Sequence, residues 1–374
     1  MSKLLNNLSS QEGYRKAEVF HNFIRTKAFE RNIPLSGSFE LTPLCTLDCK
    51  MCYVHLSKGK MKQPELPVEK WLSLIDEACE AGMLYATLTG GECLIYPGFK
   101  QIYEHLQSKG VFVSIFTNAT LLNSELVNWL SERKPYNVQI TVYGSSPEGY
   151  AKVTGSANAF YKVDNAINLL KQANIPYHLA ITASKYMAND FEALYRYCKA
   201  KEPLSINFCS FPFQARNETE REYFNYAPSI DEQVGFFKTR LKVDGTHSIT
   251  INHEDNFEND QLQSTNNDQP ELKGIQCEAG RIKFAINWDG KMVACNSFDF
   301  AQAYPLENSF LSAWQYINKK ASEYVMPVEC NNCKYKKACI KCPAVHWLYS
   351  GEGHCNPLVC EEGKRMVAEG LREL

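Results

Sequence analysis

The sequence predicts an α/β fold, a partial (β/α)6 TIM-like barrel followed by a small cysteine-rich domain. Between residues 38 and about 213, short β-type runs alternate six times with amphipathic helical patterns, which implies parallel strands joined by right-handed crossovers. Cysteine supplies 15 of the 374 residues, and eight of these lie between Cys277 and Cys360. In a barrel of this kind the chemistry lies at the carboxyl ends of the strands.

The barrel strands and helices are predicted from hydrophobic periodicity. Two of the intervening helical patterns are clear, one over 68–81 with Leu72, Ile75 and Cys79 on one stripe, and one over 159–172. The six predicted strands are 39–42, 85–88, 111–116, 138–142, 177–182 and 205–209.

Four regions follow from this pattern. After the barrel come a helical pattern near 231–243, an Asn/Gln/Asp-rich stretch over 253–273, a hairpin (282–287 and 291–294) and a helix over 306–323. The predicted regions are a helical N-terminal arm (1–35), the barrel core (36–215), a bridging region with a polar linker (216–275) and the cysteine-rich domain (276–374).

Charge and hydropathy exclude several classes of partner. The net charge is −2 with 22% charged residues, so no nucleic-acid partner is implied. No apolar run reaches the length of a membrane span, and the N-terminus lacks a secretory signal. We therefore expect a cytoplasmic protein. In that reducing compartment, clustered cysteines indicate metal binding rather than disulfides.

Three cysteines follow the first predicted strand in a C-x3-C-x2-C pattern, Cys45, Cys49 and Cys52. Three thiolates at this spacing can converge in one loop, and thiolates are the usual ligands of iron–sulfur clusters. Because a [4Fe–4S] cluster takes four ligands, three protein ligands leave one iron open to a small molecule with an amine and a carboxylate. The alternatives are a zinc knuckle that lacks a ligand, or a chance grouping.

A Gly-Gly-Glu turn follows the second predicted strand, at Gly90, Gly91 and Glu92. Glycines allow a ligand to approach the backbone closely, and carbonyls and a carboxylate accept hydrogen bonds from an ammonium group. Alone, such a turn is ordinary. One strand after the cysteine loop, it is expected at the same end of the barrel.

With these two motifs, the segment from about 38 to 213 resembles the radical S-adenosylmethionine (SAM) superfamily. The resemblance implies that Cys45, Cys49 and Cys52 hold a [4Fe–4S] cluster that cleaves SAM to a 5′-deoxyadenosyl radical. It also implies that the Gly-Gly-Glu turn receives the methionine amine of SAM. The remaining residues it assigns to the cofactor are Tyr53 near the adenine, Thr117 and Asn118 of a Thr-Asn-Ala motif, and Thr141.

The tail cysteines can close two four-ligand sites, although paired C-x2-C motifs are also typical of zinc ribbons. The tail resembles the SPASM extension of radical enzymes that modify peptides and proteins. This resemblance implies a first auxiliary [4Fe–4S] cluster held by Cys277, Cys295 and Cys342. It implies a second held by Cys330, Cys333, Cys339 and Cys360. Cys355 is extra, which leaves two alternatives: it is the fourth ligand of the first cluster, or that cluster has an open iron.

The sequence does not identify a catalytic residue beyond the cofactor. Cys93 stands where relatives often carry proline and is interpreted as a packing residue, and Cys209 ends the last barrel strand. Tyr143, followed by glycine, resembles the form in members that modify small precursor peptides, whereas many SPASM enzymes carry aspartate there. These three residues are the catalytic candidates.

From these features the sequence predicts a maturase of a ribosomal peptide that installs a thioether or carbon–carbon crosslink. One alternative is a sulfatase-maturing type of protein oxidase or a radical dehydrogenase of a small alcohol. A second is a non-enzymatic zinc-ribbon adaptor. The expected partners are a peptide or protein substrate, an electron donor such as flavodoxin or ferredoxin, and a separate leader-peptide recognition protein, unless the N-terminal arm has that role.

Overall fold

A single nine-stranded sheet organises the part of the chain that the structure describes, in the order β6-β5-β4-β3-β2-β1-β7-β8-β9. This computed structural model describes residues 11–54, 56, 58–213, 225–246, 274–275, 277–330, 332–340 and 342–373. The strands are β1 (Ser36–Glu40), β2 (Tyr85–Thr89), β3 (Phe112–Thr117), β4 (Asn137–Thr141), β5 (Tyr177–Thr182), β6 (Ile206–Cys209), β7 (Lys283–Ile286), β8 (Met292–Cys295) and β9 (Phe298–Ala303).

Strands β1 to β6 are parallel, each paired with the next along the chain. The sheet does not close on itself in the described residues, because β6 ends the order and β1 pairs next with β7. This confirms the predicted partial TIM-like barrel. The carboxyl ends of all six strands therefore meet at one edge, where the predicted site residues follow the strands.

The helices between these strands cover one face of the sheet. In α6 (Asn158–Gln172), which corresponds to the helical pattern predicted over 159–172, Val163, Ile167 and Leu170 are buried. The buried face of α2 (Val68–Glu80) is displaced from the predicted stripe. Trp71, Leu74, Ile75 and Ala78 are buried, whereas Leu72 and Cys79 are partly exposed. The large Trp71 ring occupies the centre of this contact, 6.1 Å from the ring of Phe39 on β1.

The helices have the following bounds. They are α1 (Gln11–Arg31), α2 (Val68–Glu80), α3 (Phe99–Ser108), α4 (Ser124–Glu132), α5 (Pro147–Thr154), α6 (Asn158–Gln172), α7 (Phe191–Ala200), α8 (Ile230–Asp244), α9 (Phe310–Glu323), α10 (Pro343–Ser350) and α11 (Pro357–Ala368). The polar stretch predicted as a linker, 253–273, lies outside the described residues. Within the described ranges, no helix has both the length and the apolar character needed to span a bilayer.

The predicted hairpin forms β7 and β8, and it extends the barrel sheet because β7 pairs in parallel with β1. A third strand, β9, and the helices α10 and α11 were not predicted. Both helices begin with proline, at Pro343 and Pro357, where the missing N–H costs nothing. The cysteine-rich sequence therefore folds into regular elements that pack on the barrel.

A buried ion pair fixes the end of the chain to a cysteine loop. Glu362 on α11 and Arg372 bind each other at 2.8 Å with side chains 0% and 3% exposed. Arg372 also donates to the carbonyl of Ala338 at 2.8 Å and lies 4.7 Å from the ring centre of Phe237 on α8. The loop that leads to Cys339 is thus held in place by the Arg372 side chain, near the end of the chain.

Candidate active site

A cavity of about 340 Å³ opens at the carboxyl ends of the parallel strands. Its wall brings together most of the residues that the sequence analysis singled out. They are Cys45, Cys49, Cys52, Tyr53, Gly90, Gly91, Thr117, Asn118, Thr141, Tyr143 and Cys209. The wall also includes Phe116, Gln139 and Thr182, which the sequence analysis missed although each lies on a barrel strand close to its carboxyl end.

Cys45, Cys49 and Cys52, here called the barrel triad, lie in a loop that is fixed to α5. The backbone N–H of Asp48 donates to the carbonyl of Thr154 at 3.3 Å, and that of Cys52 donates to the carbonyl of Cys49 at 3.0 Å. Cys49 is only 6% exposed. Three thiols on one wall of a shared cavity are a donor set that fits an iron–sulfur cluster with three protein ligands.

Two N–H groups donate hydrogen bonds to the sulfur of Cys45, which is otherwise held in the thiol form by burial. Burial raises the pKa of the Cys45 thiol to about 12, while the N–H donors from Leu47 and Asn118 act in the opposite direction. These donors lie 3.4 and 3.3 Å from Sγ of Cys45. Because coordination to a metal deprotonates a thiol outright, burial of this kind suits a metal ligand.

The glycine turn is packed directly against the chain that leads into the triad loop. Gly90 has φ of +156°, and a Cβ added there would lie 2.5 Å from the carbonyl oxygen of Thr42. The N–H of Gly91 donates to that same carbonyl at 2.7 Å, and the N–H of Glu92 donates to the carbonyl of Leu44 at 2.8 Å. Only glycine fits this close approach, which couples the turn after β2 to the cysteine loop.

Glu92 lies behind the cavity wall, with 1% of its surface exposed. Its carboxylate accepts hydrogen bonds from the Thr117 hydroxyl (2.8 and 2.9 Å), the Asn118 N–H (2.8 Å) and the Leu94 N–H (3.1 Å). Burial raises the pKa of Glu92, and these donors oppose that rise. Glu92 therefore joins the glycine turn to the end of β3, and its contact with the ammonium of SAM stays a prediction.

Asn118 links Glu92 to the barrel triad by hydrogen bonds. Its side-chain amide donates to Sγ of Cys45 at 3.3 Å and to the Thr46 hydroxyl at 3.0 Å, while its carbonyl oxygen accepts from Thr120 N–H at 2.9 Å. The next residue, Ala119, has a positive φ of 62°, which turns the chain away after the motif. Glu92, Asn118 and Cys45 thus form one continuous chain of hydrogen bonds.

The three catalytic candidates lie in different places. Tyr143 is on the wall; burial and then the neighbouring thiolates raise its pKa well above the usual value, and its hydroxyl is hydrogen-bonded to Cys49. Cys93 is fully buried behind the wall, with Sγ 3.4 Å from the carbonyl oxygen of Phe116. That position is consistent with a packing residue. Cys209 is on the wall at the end of β6.

The tail cysteines fall into two groups. Burial raises the pKa of Cys277 to about 12, and the thiolates of Cys342 and Cys295 act in the same direction, so these three are neighbours. In the second group, burial likewise raises the pKa of Cys339 to about 12. The thiolates of Cys355 and Cys360 act in the same direction.

Cys330 and Cys333 complete the second group. The pKa of Cys330 is raised by burial first, and the thiolates of Cys339 and Cys333 add to this. Cys355, hydrogen-bonded to Cys330, belongs to this group as well. Among the described residues, no three His, Cys, Asp or Glu side chains converge closely enough to hold a single metal ion.

Comparison with known proteins gives a family and several relatives. Residues 39–198 match the family model described as the radical SAM superfamily. The sporulation killing factor maturation protein SkfB of Bacillus subtilis is 26% identical over 312 residues, which are 81% of this chain and 69% of that protein. The AdoMet-dependent heme synthase of Methanosarcina barkeri is 23% identical over 330 residues, 86% of this chain and 94% of that protein. The PqqA peptide cyclase of Rhizobium meliloti is 21% identical over 315 residues, 81% of this chain and 80% of that protein.

Solved structures share the fold. The structure of anSMEcpe with bound AdoMet and the Kp18Cys peptide has a TM-score of 0.65 at 17% identity and covers 90% of this chain and 99% of that one. Streptococcus suis SuiB bound to the precursor peptide SuiA has a TM-score of 0.62 at 15% identity. It covers 96% of this chain and 86% of that one. The similarity therefore extends beyond the barrel into the tail.

Proposed function

Since the chain is a radical SAM enzyme, we propose that it matures a ribosomally made peptide by installing a crosslink, a thioether or a carbon–carbon bond. The enzyme class excludes the non-enzymatic zinc-ribbon adaptor. When bound and reduced, the barrel cluster supplies the cleavage of SAM to a 5′-deoxyadenosyl radical, which takes hydrogen from an unactivated carbon. The further cofactors that we propose are two auxiliary [4Fe–4S] clusters in the tail.

The chain's own residues bind and orient these groups. The barrel triad would hold three irons and leave the fourth for the amine and carboxylate of SAM. The glycine turn lines the same cavity and would receive the methionine amine, and Glu92 keeps Thr117 and Asn118 in place by hydrogen bonds. Tyr53 and Thr141 lie on the same wall and would contact the adenosyl group of SAM.

The observation that carries the peptide assignment is the character of the cavity. Its described wall consists of uncharged residues, and the sheet beside it ends at β6 without closing the barrel. A substrate rich in carboxylates would meet no cationic side chain on this described wall, whereas an uncharged side chain of an extended peptide would be accommodated. We propose that such a peptide enters beside β6, whose outer edge pairs with no other strand among the described residues.

The relatives support the same class of substrate. One is named as a peptide cyclase, and one structure of similar fold holds a precursor peptide. An electron donor such as flavodoxin or ferredoxin would reduce the barrel cluster. We propose a separate leader-peptide recognition protein, or the N-terminal arm around α1, as the means of holding the peptide.

Co-expression with short precursor peptides encoded beside the gene tests the proposal by mass spectrometry. Each crosslink removes two hydrogens, so the peptide should become lighter by about 2 Da per crosslink, and fragmentation should locate the joined residues. The barrel triad changed to alanine is the matched control and should leave the peptide mass unchanged. Unmodified peptides, together with oxidation of a sulfatase-type cysteine or serine or of a small alcohol, would establish the alternative.

A further inference from the structure

Gln139 lies on the wall of the active-site cavity, on β4, two residues before Thr141. Side chains two residues apart on a strand share a face, and their positions differ by about 7 Å along the strand. Gln139 is therefore one layer deeper in the partial barrel than Thr141, and farther from the carboxyl ends of the strands, where the barrel triad is located. A substrate group on the far side of SAM from the triad would reach this layer.

Asn207 on β6 holds the side chain of Gln139 from two strands away. A side-chain N–H of Asn207 donates to Oε1 of Gln139 at 2.8 Å. In the register of the sheet, the strand between them, β5, places His178 beside Gln139 and Ala180 beside Asn207. Because the side chain of Ala180 is only a methyl group, the two amides have room to meet across β5.

A chain of hydrogen bonds decides which end of the Gln139 amide is available to a ligand. The Ser205 hydroxyl donates to Oδ1 of Asn207 at 3.1 Å, and Nδ1 of His178 lies 2.8 Å from that hydroxyl. Since its oxygen accepts from Ser205, Asn207 has its N–H groups left for Gln139. The oxygen of Gln139 is thus engaged by the protein, and its two N–H groups have no acceptor among the described residues.

The other amide side chain on the described wall is already engaged, because Asn118 donates to Sγ of Cys45 and to the Thr46 hydroxyl. Gln139 therefore offers the cavity an uncharged pair of N–H donors. Such donors match a neutral acceptor, and the backbone carbonyl oxygen is the acceptor that every residue of a peptide carries. Asn207 is exposed on β6, so a peptide that enters beside this strand passes Asn207 before it reaches Gln139.

We propose that Gln139 binds the substrate peptide by donating its side-chain N–H groups to a backbone carbonyl oxygen close to the reacting residue. Asn207 is then a positioning residue, which directs these donors toward the peptide. The inference rests on the proposed function, because its ligand is the peptide substrate. Since the contact is made to the peptide backbone, side chains beside the reacting residue can vary without loss of it.

The test uses reconstituted full-length protein with SAM and a fluorescently labelled precursor peptide that the wild type modifies. Gln139→Leu keeps the approximate size of the side chain and removes its donors, so the peptide dissociation constant, measured by anisotropy, should rise about 2- to 12-fold. Gln139→Glu should raise it further, because a carboxylate repels the carbonyl oxygen. Gln101→Leu and Gln101→Glu make the same changes at an exposed position on α3 and are the matched controls.

Asn207→Asp tests the direction of the amide. Aspartate cannot donate to Oε1 of Gln139, so the Gln139 amide should turn its N–H groups toward the new carboxylate and present its oxygen to the cavity. Peptide binding should weaken about as much as in Gln139→Leu, and the two changes together should weaken it no further. A merely structural role of Asn207 would instead give two independent losses that add.

Two outcomes would overturn the assignment to the peptide while the wild type still modifies it. The first is a Gln139→Leu protein that matches Gln101→Leu in peptide affinity. The second is a loss of SAM affinity, measured by isothermal titration, with peptide affinity unchanged, which would place Gln139 on the cofactor. A wild type that modifies no precursor peptide would refute the proposed function, and this inference with it.

Discussion

Changing Glu92 to glutamine tests the hydrogen-bonded connection between the glycine turn and the triad. In the carboxylate, Oε1 accepts from the Leu94 N–H and Oε2 accepts from the Asn118 N–H. An amide has only one acceptor oxygen, so in either orientation its NH2 group faces a backbone N–H. One buried donor is therefore left without a partner.

The size of the effect follows from this geometry. An unsatisfied buried donor costs about 1–3 kcal/mol. Burial raises the pKa of Glu92, so removal of its charge recovers part of the desolvation cost and brings the expected loss to about 1–2 kcal/mol. At about 2–4 °C per kcal/mol for domains of 150–250 residues, the melting temperature should fall by roughly 2–8 °C. If the carboxylate also accepts from the ammonium of SAM, loss of about 1.4 kcal/mol weakens SAM binding about tenfold.

Differential scanning calorimetry and isothermal titration of reconstituted protein with SAM measure the two effects, with iron content expected to stay intact. Glu125→Gln, which removes an exposed charge in the first turn of α4, is the control and should change neither quantity. A lower melting temperature with unchanged SAM affinity would make Glu92 a positioning residue only. If both quantities match the control, the hydrogen-bonding argument is refuted.

Three further changes test other parts of the structure. Alanine at all three positions of the barrel triad should abolish formation of 5′-deoxyadenosine under strong reductant and lower the iron content from about twelve to about eight per chain; undiminished product by chromatography would contradict the assignment. Gly91→Ala places a methyl group against the Leu44 carbonyl, so we expect the triad loop to be displaced and about four irons to be lost. A colorimetric iron assay measures this loss, and full iron content would contradict the prediction. Arg372→Met leaves Glu362 buried without its partner and should lower the free energy of unfolding, measured with denaturant, by about 3–5 kcal/mol. Adding Glu362→Leu should restore most of that loss. Equal stability of the single and double variants would argue against an ion pair.

The parallel barrel could be predicted from sequence because its signals are local. Each strand is a short β-type run bounded by a helical pattern, and the predicted bounds differ from the observed ones by a few residues; for β1 the prediction was 39–42 and the strand is Ser36–Glu40. The cysteine loop and the glycine turn could be placed at one end because carboxyl ends of neighbouring parallel strands lie together. The short tail elements β9 and α10 were not predicted because their sequences show little hydrophobic periodicity.

The internal connections of the site depend on contacts that no local pattern reveals. The burial of Glu92 is compensated because Thr117, at the end of the next strand, and Asn118, which follows it, donate to its carboxylate. The spacing of the motifs predicted that the Glu92 carboxylate lies near a ligand. It did not show that both carboxylate oxygens already accept hydrogen bonds from the protein. The grouping of Cys355 with Cys330 is likewise set by how α10 and α11 pack, so cysteine spacing alone left two alternatives open.

The pairing of β1 with β7 also bears on how a newly made chain matures. The strand that leads to the barrel triad leaves the ribosome early, whereas its neighbour β7, from Lys283 onward, is synthesised late. Until β7 arrives, one edge of β1 has no neighbour on that side, and contacts so distant in sequence form slowly. We therefore expect stable delivery of iron and sulfide to the barrel to follow completion of the tail. Chains truncated before β7 should aggregate through the exposed edge rather than accumulate as a free-standing barrel.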